Sequence, residues 1–82
     1  MGERRFIMIE VEVRLFAYFR EGRGKKQLMK FQEGTTISQV IEALDIDEKE
    51  VSIALVNGMD GSLDREIKDG DIIALFPPVG GG

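Results

Sequence analysis

The chain has 82 residues and a formal net charge of −4, from 11 Lys and Arg against 15 Asp and Glu, with 43 % hydrophobic and 32 % charged residues. That is the composition of a folded domain with one thin core, burying about 60–65 % of its unfolded surface, so a two-domain enzyme with a cleft between the domains is excluded. There is no Cys and no His, which removes disulfides, thiolate metal sites, a Ser-His-Asp triad and the commonest general base near neutral pH.

The first alternating segment is Ile9, Val11, Val13 and Leu15 against Glu10, Glu12 and Arg14. Period 2 with one apolar and one charged face predicts a half-buried strand. Phe16-Ala17-Tyr18-Phe19 continues it or begins its exit, and Arg20-Glu21-Gly22-Arg23-Gly24 is a polar, glycine-rich turn. Gln27, Met29 and Phe31 then alternate with Lys26, Leu28 and Lys30, so the first two strands form an antiparallel hairpin with a fairly long loop.

Thr36 and Gln39 stand three residues apart, the spacing of a capping box, in which each side chain satisfies a free backbone N–H of the other. Ile37, Val40, Ile41 and Leu44 follow at i, i+3, i+4 and i+7, an apolar stripe on a helix over residues 37–44. A helix of two or three turns is unstable alone and must be held by packing on a sheet. Residues 45–50 form a charged connector. Residues 51–56 form a strand, and Asn57-Gly58 is a turn because both residues tolerate positive φ. Asp60-Gly61-Ser62 is a second turn, Leu63 and Ile67 are isolated apolar anchors, and Lys68-Asp69-Gly70-Asp71 is a third tight turn. Residues 72–76 are continuously apolar, the pattern of a central strand buried on both faces. Pro77 and Pro78 end it, since neither can donate to a ladder.

One helix against a mixed sheet is an α+β two-layer domain, with the last strand parallel to the first. The longest apolar run, residues 72–76, is far short of the ~20 residues that span a bilayer. Glu10 and Glu12 interrupt the apolar stretch that follows Arg4 and Arg5, so no signal peptide is expected. A cytoplasmic location without membrane attachment is the expectation. The acidic balance argues against general nucleic-acid binding. Arg20, Arg23, Lys25 and Lys26 are read as a solvated loop, because no aromatic platform accompanies them. The acidic connector at 45–50 lacks the spacing and the sixth-position Gly of an EF-hand, and Gly22-Arg23-Gly24 lacks the third Gly of a dinucleotide fingerprint. Neither a metal nor a bound cofactor is expected. Phe16, Tyr18, Phe19, Phe31 and Phe76 divide between core and an exposed patch in proportions that the sequence leaves open.

The order of elements, the Asn57-Gly58 and Lys68-Asp69-Gly70-Asp71 turns and the terminal Phe76-Pro77-Pro78-Val79-Gly80-Gly81-Gly82 resemble the ubiquitin-like β-grasp sulfur carriers, over residues 8–82. Within them the Phe-Pro-Pro approach is similar to the small subunit of molybdopterin synthase. The short connector at 45–50 is similar to the carrier of thiamine thiazole synthesis. Residues 1–7 precede the usual start and are read as an extension, and residues 77–82 as a flexible tail.

The resemblance implies a non-catalytic carrier. Its reactive group is the α-carboxylate of Gly82, activated with ATP by an E1-like adenylyltransferase and converted to a thiocarboxylate by a sulfur donor enzyme. Gly81, Gly80, Val79, Pro78, Pro77 and Phe76 would then form the arm that a partner binds. The implied partner is the large subunit of molybdopterin synthase, which binds the pterin and supplies the catalytic side chains. The acceptor stays open at this point among pterin, thiazole, tRNA and, for a ubiquitin-like modifier joined through Gly82, a protein lysine. Glycine suits such an arm because it lacks Cβ and lets a second active site approach its carbonyl closely.

Overall fold

The computed structural model describes residues 7–78. Expectations for residues 1–6 of the extension and for Val79, Gly80, Gly81 and Gly82 lie outside the described residues.

Strand β1 (Met8–Leu15) pairs antiparallel with β2 (Lys26–Gln32), seven residues in register from Met8 opposite Gln32 to Arg14 opposite Lys26. Helix α1 (Ile37–Ala43) follows, then β3 (Ile53–Val56), the two-residue β4 (Met59–Asp60) and β5 (Ile72–Phe76). The sheet order is β2-β1-β5-β3-β4, and β5 lies parallel to β1, with Val13 opposite Ile73 and Leu15 opposite Leu75. This is the β-grasp: a mixed sheet wrapped on one helix, with the last strand inserted at its centre.

The alternation of β1 decides which face is covered. Val11, Val13 and Leu15 are at most 1 % exposed, as are Val56, Ile73 and Leu75 on the neighbouring strands, and they share one core cluster with Ile37, Val40 and Ile41 of α1. Each such side chain, fully buried, contributes about 1.5–3 kcal/mol. The expectation that residues 72–76 are buried on both faces is corrected here. Ile73 and Leu75 are buried, whereas Ile72, Ala74 and Phe76 are half-buried, because helix α1 covers one face of the sheet only. A continuous apolar run marked the central position correctly without marking a second covering layer.

The ends of α1 are secured from both sides. The capping box forms as expected: Gln39 N donates to Thr36 Oγ1, and Thr36 N donates to Gln39 Oε1 at 2.9 Å. The next two free donors, Ile37 N and Ser38 N, reach the carbonyls of Arg65 and Leu63 at 3.0 and 2.8 Å. At the other end Asp45 adopts φ +60°, Asp45 N donates to Glu42 O at 3.0 Å and Ile46 N to Ile41 O at 3.2 Å. This is a Schellman closure with Asp where Gly is usual, and the apolar contact that accompanies it comes from buried Ile41 and Ile46.

Between the first two strands the chain does not extend β1. Ala17–Arg20 forms a 3₁₀ turn, with Ala17 at φ +53° and Phe19 buried beneath it. The charged connector carries a second 3₁₀ turn, Glu48–Glu50, capped by Asp47 Oδ1 accepting from Lys49 N at 2.9 Å. The segment expected as a turn at Asp60 begins instead as the short edge strand β4, paired Val56 to Met59 across Asn57-Gly58. At Gly61 a side chain has no room: a Cβ would stand 2.9 Å from both Ile37 Cδ1 and Val56 Cγ2. That glycine lets the crossover pass over the core edge.

Candidate functional site: the root of the C-terminal arm

The arm that the sequence singles out leaves the domain at the end of β5. The last ladder bond there is Ser52 N to Phe76 O, 2.8 Å. Beyond it Pro77 and Pro78 have no N–H to offer, so the ladder stops for a chemical reason. Pro77 is buried and Pro78 is exposed. The packed domain therefore runs through Pro77, one residue into the segment read from sequence as tail.

The root is braced by an aromatic layer. Phe76 points to the uncovered face of the sheet and stacks on Phe16, ring centroids 4.2 Å apart and planes 11° from parallel. The Arg20 guanidinium lies 5.1 Å from the centroid of the Phe16 ring, and Arg20 Nε donates to Leu15 O at 2.7 Å. The parallel pairing of β1 and β5 brings Phe16 to Phe76 across 60 positions of sequence, because Leu15 stands opposite Leu75. Around this stack is an apolar hollow of about 300 Å³, walled by Phe16, Tyr18, Ile53, Phe76, Pro77 and Pro78. Tyr18 and Ile53 are each 45 % exposed, so the arm emerges beside accessible apolar surface. Tyr18 Oη donates to Glu50 Oε1 at 2.9 Å, and this hydrogen bond to a carboxylate holds the phenol pKa above its usual value.

Of the residues expected to form the site, Phe76, Pro77 and Pro78 are brought together as one surface. Val79, Gly80, Gly81 and Gly82 lie outside the described residues. Phe16, Tyr18 and Ile53 join the site without having been assigned to it from sequence. The break in alternation at Phe16 and the apolar outward register of Ile53 are the sequence signals that correspond to them.

The other charged clusters have structural occupations. Arg23 Nε donates to Leu44 O at 3.0 Å, Arg23 Nη2 to Asp45 O at 3.1 Å and Arg23 Nη1 to Phe19 O at 3.3 Å, so this cation closes the C-terminus of α1. With Arg20 on Leu15 O, two of the four basic residues are committed to backbone carbonyls. In the acidic connector, Glu48 accepts from Ser38 Oγ at 2.9 Å and Glu50 from Tyr18. Among the described residues no three carboxylates gather closely enough to hold a metal ion. No helix there is long and apolar enough to cross a membrane.

Comparison with known proteins agrees with this geometry. The ThiS family matches residues 13–82. The small archaeal modifier protein 3 of Haloferax volcanii is 30 % identical over 96 residues, covering 90 % of this chain and all of the relative. A structure assigned as molybdopterin converting factor subunit 1 from Pyrococcus furiosus superposes with a TM-score of 0.71 at 31 % identity, over 87 % of this chain and 99 % of that one. A chain from the complex of subunits 1 and 2 of molybdopterin-converting factor from Helicobacter pylori 26695 does so with a TM-score of 0.61 at 28 % identity, over 90 % of this chain and 100 % of that one.

Proposed function

The chain belongs to the ThiS family of ubiquitin-fold sulfur carriers, and from that premise we propose that it carries sulfur on the carboxylate of Gly82 for molybdopterin synthesis, as the small subunit of molybdopterin synthase. The observation that carries this reading is the root of the arm: a Phe-Pro-Pro exit, packed through Pro77, that opens beside an accessible apolar hollow. That surface suits a protein partner that must hold the domain while it receives the terminus. The likeness to one chain of the complex of subunits 1 and 2 of molybdopterin-converting factor from Helicobacter pylori supports a second subunit as that partner, and the reading assigns pterin binding to that subunit.

The chemistry follows from the state of the terminus. A main-chain carboxyl with a pKa near 3.5 is ionised at pH 7 and is a poor electrophile. An E1-like enzyme activates it: a carboxylate oxygen attacks the α-phosphorus of ATP, pyrophosphate leaves, and an acyl-adenylate forms. Sulfur delivered by a donor enzyme at the oxidation level of hydrosulfide then attacks the carbonyl, forming the C–S bond and expelling AMP, so that the terminus becomes a thiocarboxylate. When its sulfur passes to the pterin precursor, water takes the place of sulfur at the Gly82 carbonyl and the carboxylate is restored. No side chain of this domain takes part, so the protein is a carrier and its partners are the enzymes. It binds no cofactor of its own, ATP being consumed by the activating enzyme, and it works in the cytoplasm. Residues 79–82 reach about 14 Å from Pro78 when extended at ~3.3–3.6 Å per residue, so the partner's reaction centre sits within that distance of the hollow.

The modifier relative from Haloferax volcanii favours one second reading, conjugation of Gly82 to protein lysines. One experiment separates the two. The epitope-tagged chain, with the tag at its N-terminus, is expressed in its own host and recovered. Carriage to pterin predicts co-purification of a pterin-binding protein and dependence of the host's molybdopterin pool on the chain. A ladder of covalent conjugates abolished by removing Gly81 and Gly82, with an unchanged pterin pool, would overturn the pterin assignment in favour of the modifier.

A further inference from the structure

We propose that Asn57-Gly58 is a latent deamidation site that the fold holds closed through Asp71, so that unlatching of this hairpin, rather than time alone, determines when Asn57 is lost. The type I′ turn between β3 and β4 needs positive φ at both central residues, and Asn57 and Gly58 have φ +52° and +83°. The pair that satisfies the turn is also chemically labile, since glycine has no side chain to obstruct its amide nitrogen. In the reaction Gly58 N attacks Asn57 Cγ, the new C–N bond closes a succinimide, and the side-chain nitrogen leaves as ammonia. Water then opens the ring at either carbonyl, giving Asp or isoaspartate.

The structure opposes the first of these steps at both ends of the amide. Asn57 Nδ2 donates to Asp71 Oδ1 at 2.9 Å, and Asn57 Oδ1 accepts from Ile72 N at 2.9 Å. Asn57 N also donates to Ile72 O at 2.8 Å, so the residue clasps Ile72 through main chain and side chain together. Asp71 is the one buried charged residue among the described residues, and its second oxygen accepts from Lys68 N at 2.8 Å. One carboxylate thus ties the Asn57-Gly58 turn to the Lys68-Asp69-Gly70-Asp71 turn. Because Nδ2 must depart as ammonia, ring closure requires the amide to give up its bond to a charged acceptor, and the bond from Ile72 N to Oδ1 restrains the side chain while the first holds. Asn57 itself is exposed to the water that the second step needs.

The consequence for the molecule follows from the product. A carboxylate at position 57 has no donor to offer Asp71, so a hydrogen bond becomes a contact between two acceptors of like charge. The latch fails where β3, β4 and β5 meet, and the altered molecule is less stable than the original.

The test incubates the intact chain at mildly alkaline pH, in buffer and in enough guanidinium to abolish its circular dichroism, and follows Asn57 by peptide mass mapping. At least ten-fold slower loss in the folded chain is expected. Asp71→Ala, its fold verified by circular dichroism, is expected to lose Asn57 at least five-fold faster than the parent. Asp69→Ala, which removes the neighbouring carboxylate that accepts from Glu10 N, is expected to keep the parent rate. Equal rates in folded and unfolded chain would overturn the proposal without any variant. So would an Asp69→Ala rate equal to that of Asp71→Ala, which would mean general loosening of the turns.

Discussion

Arg23 shows how much of this fold rests on single side chains with unannounced partners. Its guanidinium serves the carbonyls of Leu44 and Asp45, 21 and 22 residues away, at the point where α1 has run out of intrahelical donors. Read along the chain it was one more charge in a basic loop, because nothing local marks a contact of that span. Planar, forked donors are what two adjacent carbonyls require, and a lysine offers only a point charge. Arg23→Ala is expected to lower unfolding stability by about 1–3 kcal/mol, the range for losing hydrogen bonds from a charged, part-buried donor. Arg23→Lys is expected to recover less than half of that. Denaturant melts of the three proteins decide it, and an alanine variant with the parent midpoint would contradict the role. Asn57 is the opposite case. Its turn was legible from two letters, because positive φ at both residues narrows the choice. Its side-chain bond to buried Asp71, 14 residues on, was not.

At the level of elements, local chemistry decided what was legible. The capping box, the apolar stripe of α1 and the alternation of β1 are patterns in adjacent residues, and each formed where expected, α1 closing one residue earlier than the stripe. The course of residues 16–20 was not legible: an alanine at φ +53° opens a 3₁₀ turn, although alanine has no special claim on that region. The second face of β5 was misjudged for a different reason, since its cover depends on what lies across the sheet. The two faces now predict opposite behaviour in neighbouring strands. Leu75→Ala removes fully buried contacts and is expected to cost about 2–5 kcal/mol. Ile53→Ser alters the outward face and is expected to cost under about 1 kcal/mol while weakening capture of a protein partner at the hollow. Melting curves and co-purification yields measured on both variants test this. A destabilised Ile53→Ser or an undisturbed Leu75→Ala would reverse the assignment of the faces.

At the scale of the whole molecule, the proposed function divides labour between a scaffold and an arm. The scaffold supplies a covered core on one face and, at the end of the central strand, an aromatic brace and an apolar hollow from which the arm departs. The sequence suggested the arm through Pro77-Pro78-Val79 followed by three glycines, and the family resemblance rested on that motif together with the order of elements and the turns. It could not carry the surroundings of the arm, because Phe16 and Tyr18 reach Phe76 and Pro77 only through the parallel β1–β5 register. The terminal carboxylate of Gly82 is the group proposed to react. Its most direct test is tandem mass spectrometry of the C-terminal peptide after the chain is incubated with ATP, a sulfur source and extract of its own host. Replacement of one oxygen by sulfur, located on Gly82 and lost when ATP is withheld, is the predicted result. An unaltered Gly82 carboxylate in an extract that charges a known carrier, or sulfur found on any other residue, would contradict the account.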